Sequence, residues 1–397
     1  YALTSGSLPA SFAVDPTTGS VDGTPPVMSM GVYTFEVTVT ECNGGQDAET
    51  FSLTVNPPCI SVACGDCNGD GMTNILDALV AAREVPVTID NFARAATDIE
   101  LDKYVALAGG VNRFYHFREP TPVADQPTIQ MNRDTLYSAA VVDISEGATL
   151  TLPDVGDRYM SAMIVNQDHY INEVFHGGGS YTLDMETFDT PYVIVYMRTL
   201  VDASDPDDVA AVNAIQDQMK VEAASARPFI PPIYDQESYE GMIRVAIGFA
   251  PYLPDSSRMF GTREAVSPVR HLIGTAGGWG GLPEAEAFYL PVEPNLPEGE
   301  YKIEVPAEVP VGAFWSVSVY NAERYFVPNV LDAYVVNSVM GARNADGSMT
   351  VHFGGCEDGR VNCLPLMKGW NYTVRLYQPA PEILDGSWTF PAIQPVN

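Results

Sequence analysis

Positive charge is scarce in this chain. Its 397 residues carry 20 Lys and Arg against 51 Asp and Glu, a formal net charge of −31, and no Lys or Arg precedes Arg83. Such a field repels phosphate backbones and anionic lipid, which excludes nucleic-acid binding and polybasic membrane association and makes cations the natural partners. No apolar run reaches the roughly 18 residues of a membrane-spanning helix, so a transmembrane protein is not expected. Catalytic signatures are missing as well. No Gly-rich phosphate loop follows a strand, and there is neither a Gly-x-Ser-x-Gly elbow nor a His-Glu-x-x-His pair. Paired carboxylates of the glycosidase kind leave no linear signature, because their separation is a three-dimensional quantity. What is present is ample apolar material, 46% of residues, in a length that suits two or three domains. The start at Tyr1, without Met or signal peptide, suggests a processed or truncated product.

The six cysteines are Cys42, Cys59, Cys64 and Cys67, followed far downstream by Cys356 and Cys363. An even number in short local clusters reads as disulfides formed in an oxidising compartment, which points to a secreted or cell-surface protein. Zinc is the competing reading of Cys64-Gly-Asp-Cys67, but it needs a second ligand pair at matching spacing and no His lies nearby. The first four cysteines allow three pairings, among which the sequence does not choose; Cys356 and Cys363 suggest a local bridge.

Tyr33–Thr40 and Phe51–Val55 alternate apolar and polar residues around Asn43-Gly-Gly45, the pattern of a hairpin. With Leu3–Pro9 and Asp15–Pro25 upstream, the segment resembles the cadherin- and dystroglycan-like immunoglobulin modules of bacterial surface proteins. The resemblance implies a sandwich lacking its first strands, with an open edge for a strand of another copy or another extracellular protein. Next, oxygen-bearing side chains fall at loop positions 1, 3, 5, 9 and 12: Asp66, Asn68, Asp70, Asn74 and Asp77. Gly71 stands at the sharp turn and Met72 can give its carbonyl at position 7. Hard oxygens at this spacing select Ca2+ over softer metals. Ile75, Leu76, Leu79 and Val80 then trace one helical face, ended by Pro86. The stretch resembles a single type I dockerin repeat. Dockerins dock with two, so a calcium-rigidified linker is expected rather than scaffold docking.

From Val87 onward basic residues appear. Helices are expected over Asp90–Leu107, Asp205–Ala224 and Gln236–Gly248. Strands are expected at Ala139–Val142, Thr149–Leu152, Met160–Val165, Tyr192–Met197, Tyr301–Val305, Ala313–Tyr320, Met349–Phe353 and Tyr372–Tyr377, with Pro-rich turns that suit β sandwiches. Ordered motifs then accumulate: Phe92-Ala-Arg-Ala95, His116-Phe-Arg118, Asn132-Arg-Asp-Thr-Leu-Tyr-Ser138, Asp168-His-Tyr170, Arg198-Thr-Leu-Val201, Pro268–Gly274, Trp279–Pro283, Phe314–Asn321, Asn362–Pro365 and Arg375-Leu-Tyr377. On these the chain from about Asn91 to Val396 resembles exported proteins that join the domain-of-unknown-function families 1254 and 1214. The resemblance implies two antiparallel jelly-roll-like domains and no established reaction.

The expected fold is therefore mainly β: a partial immunoglobulin-like module (1–57), an EF-hand-like calcium repeat with its helix (58–86), a first jelly-roll-like domain (87–228), a helical connector (229–283) and a second jelly-roll-like domain (284–397). Candidates for acid–base or metal chemistry are His116, Arg133, Asp134, His169 and His271; a buried Arg must be paired, so an equally physical reading is that these groups lock loops. His176 before Gly177-Gly-Gly179 reads as a turn residue. Asn132, Tyr137, Trp315 and Tyr320 are candidate pocket walls, and Trp279 reads as core or pocket wall. Three functions compete: a secreted, calcium-stabilised surface or filament component that self-associates; a secreted hydrolase of polysaccharide or ester substrates tethered by its N-terminal modules; and a carbohydrate-binding protein. Asn371-Tyr-Thr373 is a glycosylation triplet.

Overall fold

The computed structural model describes residues 2–6, 13–14, 21–22, 31–40, 46–55, 84–124, 126, 129–253 and 255–396. The calcium-loop residues Asp66, Asn68, Asp70, Met72, Asn74 and Asp77, and the cysteines Cys42, Cys59, Cys64 and Cys67, lie outside the described residues. The chain divides into two compact units: Tyr1–Thr88 with Pro231–Tyr239, and Ile89–Ile230 with Glu240–Asn397. Among the described residues no helix is long and apolar enough to cross a membrane.

In the first unit β1 (Ala2–Gly6), β4 (Gly31–Thr40) and β5 (Gln46–Val55) form an antiparallel sheet in the order β1-β4-β5, beside a small ribbon of β2 (Ala13–Val14) and β3 (Val21–Asp22). The expected hairpin is present. It pairs without interruption from Gly31 opposite Val55 to Thr40 opposite Gln46, so its second strand starts five residues before the alternation at Phe51 becomes visible.

The second unit begins with helix α1 (Phe92–Ala108), stopped by Gly109 at φ 72°, a conformation only glycine adopts without strain. Strands β6 (Arg113–His116), β7 (Thr135–Asp143), β8 (Ala148–Leu152), β9 (Met160–Asn166), β10 (Ile171–His176) and β11 (Gly179–Leu183) follow. After them come α2 (Met185–Phe188), β12 (Tyr192–Leu200), α3 (Pro206–Gln216) and β13 (Lys220–Ala223). Helix α4 (Gln236–Gly248), whose first four residues are counted with the first unit, and α5 (Pro268–Gly278) lead to β14 (Ala287–Val292), β15 (Tyr301–Val305), β16 (Trp315–Tyr320), β17 (Val335–Asn337), β18 (Met349–Phe353), β19 (Cys363–Leu364) and β20 (Asn371–Tyr377). A short α6 (Pro381–Leu384) and β21 (Gln394–Pro395) complete the unit.

These strands make four sheets, β10-β9-β12-β7-β6 with β11-β8-β13, and β14-β20-β16-β17 with β19-β18-β15-β21. The pleat decides what each face holds. On β7, β9 and β12, Ala140, Val142, Ala162, Ile164, Val193 and Val195 point into the core shared with β8 and β11. Their alternates Ala139, Val141, Met163, Val165 and Ile194 point the other way, onto Leu101 and Tyr104 of α1 and onto Phe314 and Tyr377 of the second sandwich. The same holds for β16 and β20: Trp315, Val317, Val319, Tyr372, Val374 and Leu376 fill the second core, while Ser316, Ser318, Thr373, Arg375 and Tyr377 occupy the reverse face. Both central sheets are therefore buried on two sides, and this is why their strands read as long apolar runs with polar residues embedded in them.

Two expectations need correction. The acidic helix expected over Asp205–Ala224 stops at Gln216, and Lys220–Ala223 is strand β13, paired with β8 from Lys220 opposite Thr151 to Ala223 opposite Ala148. The alternation of exposed Lys220 and Glu222 with half-buried Val221 and Ala223 overrides helical propensity once β8 offers an edge. His176 is no turn residue. It ends β10, where its Nε2 meets Glu286 at 2.7 Å and its Nδ1 lies 3.2 Å from the Met160 carbonyl. Helix α5 starts at Pro268, where a missing N–H costs no helical hydrogen bond, so the motif Pro268–Gly274 is the first part of a helix.

Candidate functional site

Between the reverse faces of the two central sheets lies a cavity of about 390 Å³, within the range of roughly 300–1,000 Å³ usual for ligand pockets. The first sandwich supplies Tyr137 from β7 and Tyr196 and Arg198 from β12. Arg198 stands directly opposite Tyr137 and two residues after Tyr196, so strand register puts all three on one face. The second sandwich supplies Tyr289 and Pro291 from β14 and Thr373, Arg375 and Tyr377 from β20, again at alternate positions. Helix α5 and the segment 279–281 close one side with Ile273, Gly274 and Trp279. Gly274 and Gly281 are required by close approach, since a Cβ on either would come within 2.9 Å of Met259 or 2.4 Å of Phe260. Exposed lining residues Ile129, Ala250, Gly277 and Gly278 mark the open side.

The two arginines in this space differ in one respect. Arg375, 3% exposed, donates from Nη1 to Ser318 Oγ at 2.9 Å and from Nη2 to the Gln130 carbonyl and Tyr320 Oη, both at 2.7 Å. The Asp134 carboxyl attracts it through space. Arg198, 6% exposed, donates from Nη2 to the Gly280 carbonyl at 2.7 Å, and its buried Nη1 has no hydrogen-bond partner. Among the described residues no carboxylate forms an ion pair with it. Its guanidinium rests over Tyr196 at 5.3 Å and Tyr137 at 5.6 Å instead. Burial works against the charge, but a guanidinium is basic enough to keep its proton there, and the faces of Tyr196 and Tyr137 offset part of the cost. Burial in turn pushes Tyr196 up to about 12 and raises Tyr289, so these rings are neutral at neutral pH and leave the cation uncompensated.

The residues singled out in the sequence fall into separate places. In the Asn132–Ser138 motif, Asn132 donates to Tyr377 Oη at 2.9 Å and accepts from the Asp134 N–H at 2.8 Å. Asp134, fully buried, accepts from Ser316 Oγ at 2.6 Å and Asn337 Nδ2 at 3.2 Å, with burial pushing its carboxyl up. Arg133 donates to the Thr121 carbonyl and covers the Tyr334 ring at 5.0 Å. The motif thus stitches the first sandwich to the second, with Asn132 and Tyr137 on the cavity wall. Trp315 belongs to the second core, and Tyr320 stands behind the wall, donating to the Met131 carbonyl at 2.8 Å.

The histidines do not converge on Asp134. His116 pairs across β6–β7 with Ser138 at 2.8 Å, on the sheet face opposite Tyr137; burial, then Arg118, pushes it down to about 4. His169 and His271 do lie together, their rings 5.3 Å apart. His169 is fully buried, its Nδ1 2.7 Å from Thr275 Oγ1, while its Nε2 accepts the Gly280 N–H at 3.0 Å. Thr275 donates onward to the His271 carbonyl, so this network requires neutral His169 with its proton on Nδ1. Burial and the neighbouring His271 hold its pKa well below the ordinary value. His169 also stacks on Trp279 at 5.3 Å, and Gly280, whose N–H it accepts, is the residue whose carbonyl accepts from Arg198. It is a positioning residue for the cavity wall. His271 lies 3.2 Å from the Met259 and Asp168 carbonyls and stacks on Tyr170.

Arg198, Tyr196, Tyr289 and Arg375 were missed as site residues. The available signal was Arg198 itself, a charge inside the otherwise apolar Tyr192–Leu200. A larger hollow of about 670 Å³ beside His176 contains Arg158, but that cation is already paired with Asp208 at 2.5 Å. Cys356 and Cys363 form the local disulfide. Asn371 is 2% exposed and donates to the Asn321 carbonyl at 2.6 Å, which leaves no room for a glycan in the folded chain.

Comparison with known proteins adds family matches without an activity. Residues 293–381 match the family described as "Protein of unknown function (DUF1214)", residues 111–183 the family "Protein of unknown function (DUF1254)", and residues 1–56 the family "Putative Ig domain". No curated protein matches the chain. The VPA0106 protein from Vibrio parahaemolyticus, a crystal structure, is similar over 78% of this chain and 100% of its own, with 19% identity and a TM-score of 0.59, a likeness of fold. An uncharacterized protein from Burkholderia cenocepacia covers 82% of this chain and 91% of its own at 16% identity and a TM-score of 0.46. In chain order the matches thus run from the Ig family through DUF1254 to DUF1214, each over its own part of the chain.

Proposed function

We propose that the chain is a secreted or cell-surface modular protein whose DUF1254–DUF1214 body binds a small organic molecule in the cavity between its two sandwiches. The Ig module and the calcium loop serve as tether and spacer, and the calcium loop is expected to stiffen once Ca2+ neutralises its crowded oxygens. One observation carries the reading: Arg198 is kept charged, buried and one hydrogen bond short at the wall of an aromatic cavity. A body built only for assembly gains nothing from such a group, because filling the space with apolar side chains is cheaper than burying a lone charge. Binding is supported over hydrolysis at this place, since the described lining residues include no carboxylate, imidazole or thiol. A volume of about 390 Å³ suits a small molecule better than a polysaccharide chain.

Gly277 is exposed on the last turn of α5, and nothing lies within 4 Å of where its Cβ would stand. Gly277→Trp therefore narrows the open side while favouring the helix. Saturation-transfer NMR on the full chain with phenylacetate, phenylacetamide and p-cresol should show at least one compound bound by the natural protein and weakened in this variant. If none of the three binds, or binding ignores the substitution, the reading fails.

A further inference from the structure

The class of ligand follows from how charge is distributed around the cavity. Resting on the binding role just proposed, we infer that the cavity selects a monocarboxylate with a flat or apolar body, its carboxylate meeting Arg198 and its body lying among Tyr137, Tyr289 and Trp279.

The polar end is fixed by Arg198. Among the described residues its Nη1 is the one buried guanidinium nitrogen on this wall without a partner, while Nη2 is already bound to Gly280. A guanidinium in that state is completed by an acceptor, and a carboxylate is the acceptor whose charge and fork geometry match it. The number of charges is fixed by Arg375. Its Nη1 and Nη2 already donate to Ser318, to the Gln130 and Met131 carbonyls and to Tyr320, so Arg198 offers the one guanidinium donor left over for an anion. A phosphate dianion would bring a second negative charge with nothing to meet it. The apolar end is fixed by composition: Ile129, Met131, Met259, Phe260, Ile273 and Pro291 join the aromatic rings around the remaining volume. Long-range attraction has no part in the selection, because a chain of net charge −31 repels anions until they reach this wall. Arg198 itself is held in place by the His169–Gly280 contact, which steadies the residue whose carbonyl Nη2 uses.

The test compares phenylacetate with phenylacetamide, which keeps shape and an acceptor oxygen but removes the charge. Calorimetry or ligand-observed NMR on the full natural chain at neutral pH should give the acid an affinity at least about tenfold above the amide, a gap of roughly 1.4 kcal/mol. Inorganic phosphate at equal concentration should not displace it. Arg198→Met should erase the preference, bringing acid and amide together. Because that variant removes a buried group, the bound acid supplies a second readout on the natural protein: the 13C shift of its carboxyl should titrate at lower pH than in free solution. Equal affinities for acid and amide, both weakened by Gly277→Trp, would overturn the monocarboxylate assignment and leave the binding role standing. Displacement by phosphate would also overturn the assignment. Binding of neither compound would overturn the assignment, and the binding role would fall with it if p-cresol is not bound either.

Discussion

Arg198 and Arg375 approach one cavity from opposite sheets, and replacing each by Met should separate a charge kept for a ligand from a charge kept for the fold. Arg375→Met strips four hydrogen bonds and removes the positive charge that attracts the buried Asp134 carboxyl. Bonds to a charged group are worth ~1.5–3 kcal/mol each, so their joint loss should cost at least about 3–5 kcal/mol. Arg198→Met loses one charge-assisted bond to the Gly280 carbonyl, ~1.5–3 kcal/mol, and two contacts with tyrosine faces, ~0.5–2 kcal/mol each. Against that stands relief of an uncompensated buried charge, itself several kcal/mol, so the opposing contributions should nearly cancel and leave a change of about 1 kcal/mol or less. All four tryptophans, Trp279, Trp315, Trp370 and Trp388, belong to the second unit, so their fluorescence during urea unfolding of the full chain reports on this body alone. The expected result is a midpoint for Arg198→Met close to that of the natural protein and one for Arg375→Met far below it. Equal, large losses for both would show that Arg198 is a structural residue and would refute the reasoning.

Other measurements follow from the same geometry. His169, His271 and His116 are all held below the ordinary histidine value by burial, the last down to about 4. Below pH ~6.5 the unfolded chain therefore binds protons that the fold refuses, and stability should fall as pH drops from about 6.5 toward 4; His116→Gln should flatten part of that slope, and an unchanged slope would exclude His116 as a contributor. The His176–Glu286 pair runs the opposite way: burial lowers the imidazole but Glu286 raises it further, so its contribution to the urea midpoint is present below pH ~6.5 and lost as pH rises through the folded value. Reducing Cys356–Cys363, which closes a loop of sequence separation 7, should cost about 2 kcal/mol in the same urea assay. Chelation of a calcium-loaded chain should increase proteolysis between Pro58 and Asp90; cleavage that is indifferent to chelator, with calcium removal verified, would contradict the calcium loop.

Much of the architecture was legible because two-sided burial leaves a plain trace. Met349–Phe353 and Tyr301–Val305 were bounded to the residue by alternation and flanking turns, and Gln236–Gly248 by its helical spacing. Short or edge elements were less visible. Strands β6, β10 and β13 are brief, and β13 looks helical until β8 is present to pair with it. The cavity was the least legible feature. Asn132 and Tyr137 stood out within a dense motif, but Arg198 gains its meaning from Gly280, 82 residues later, and from sheet register, neither of which the local sequence contains. His116 and His169 attracted the chemical reading because imidazoles are versatile; their partners, Ser138 in one case and Thr275 with Gly280 in the other, show both rings used to hold the fold.

The central claim is that the cavity receives a carboxylate at Arg198. Crystals of the full chain soaked with 4-bromophenylacetate test it most directly, because the anomalous signal of bromine locates the apolar end independently of the carboxylate. The expected result is a bromine peak among Tyr137, Tyr289 and Trp279, with a carboxylate oxygen within hydrogen-bonding distance of Arg198 Nη1. A compound seated with its carboxylate toward solvent, or found only outside this cavity, would contradict it.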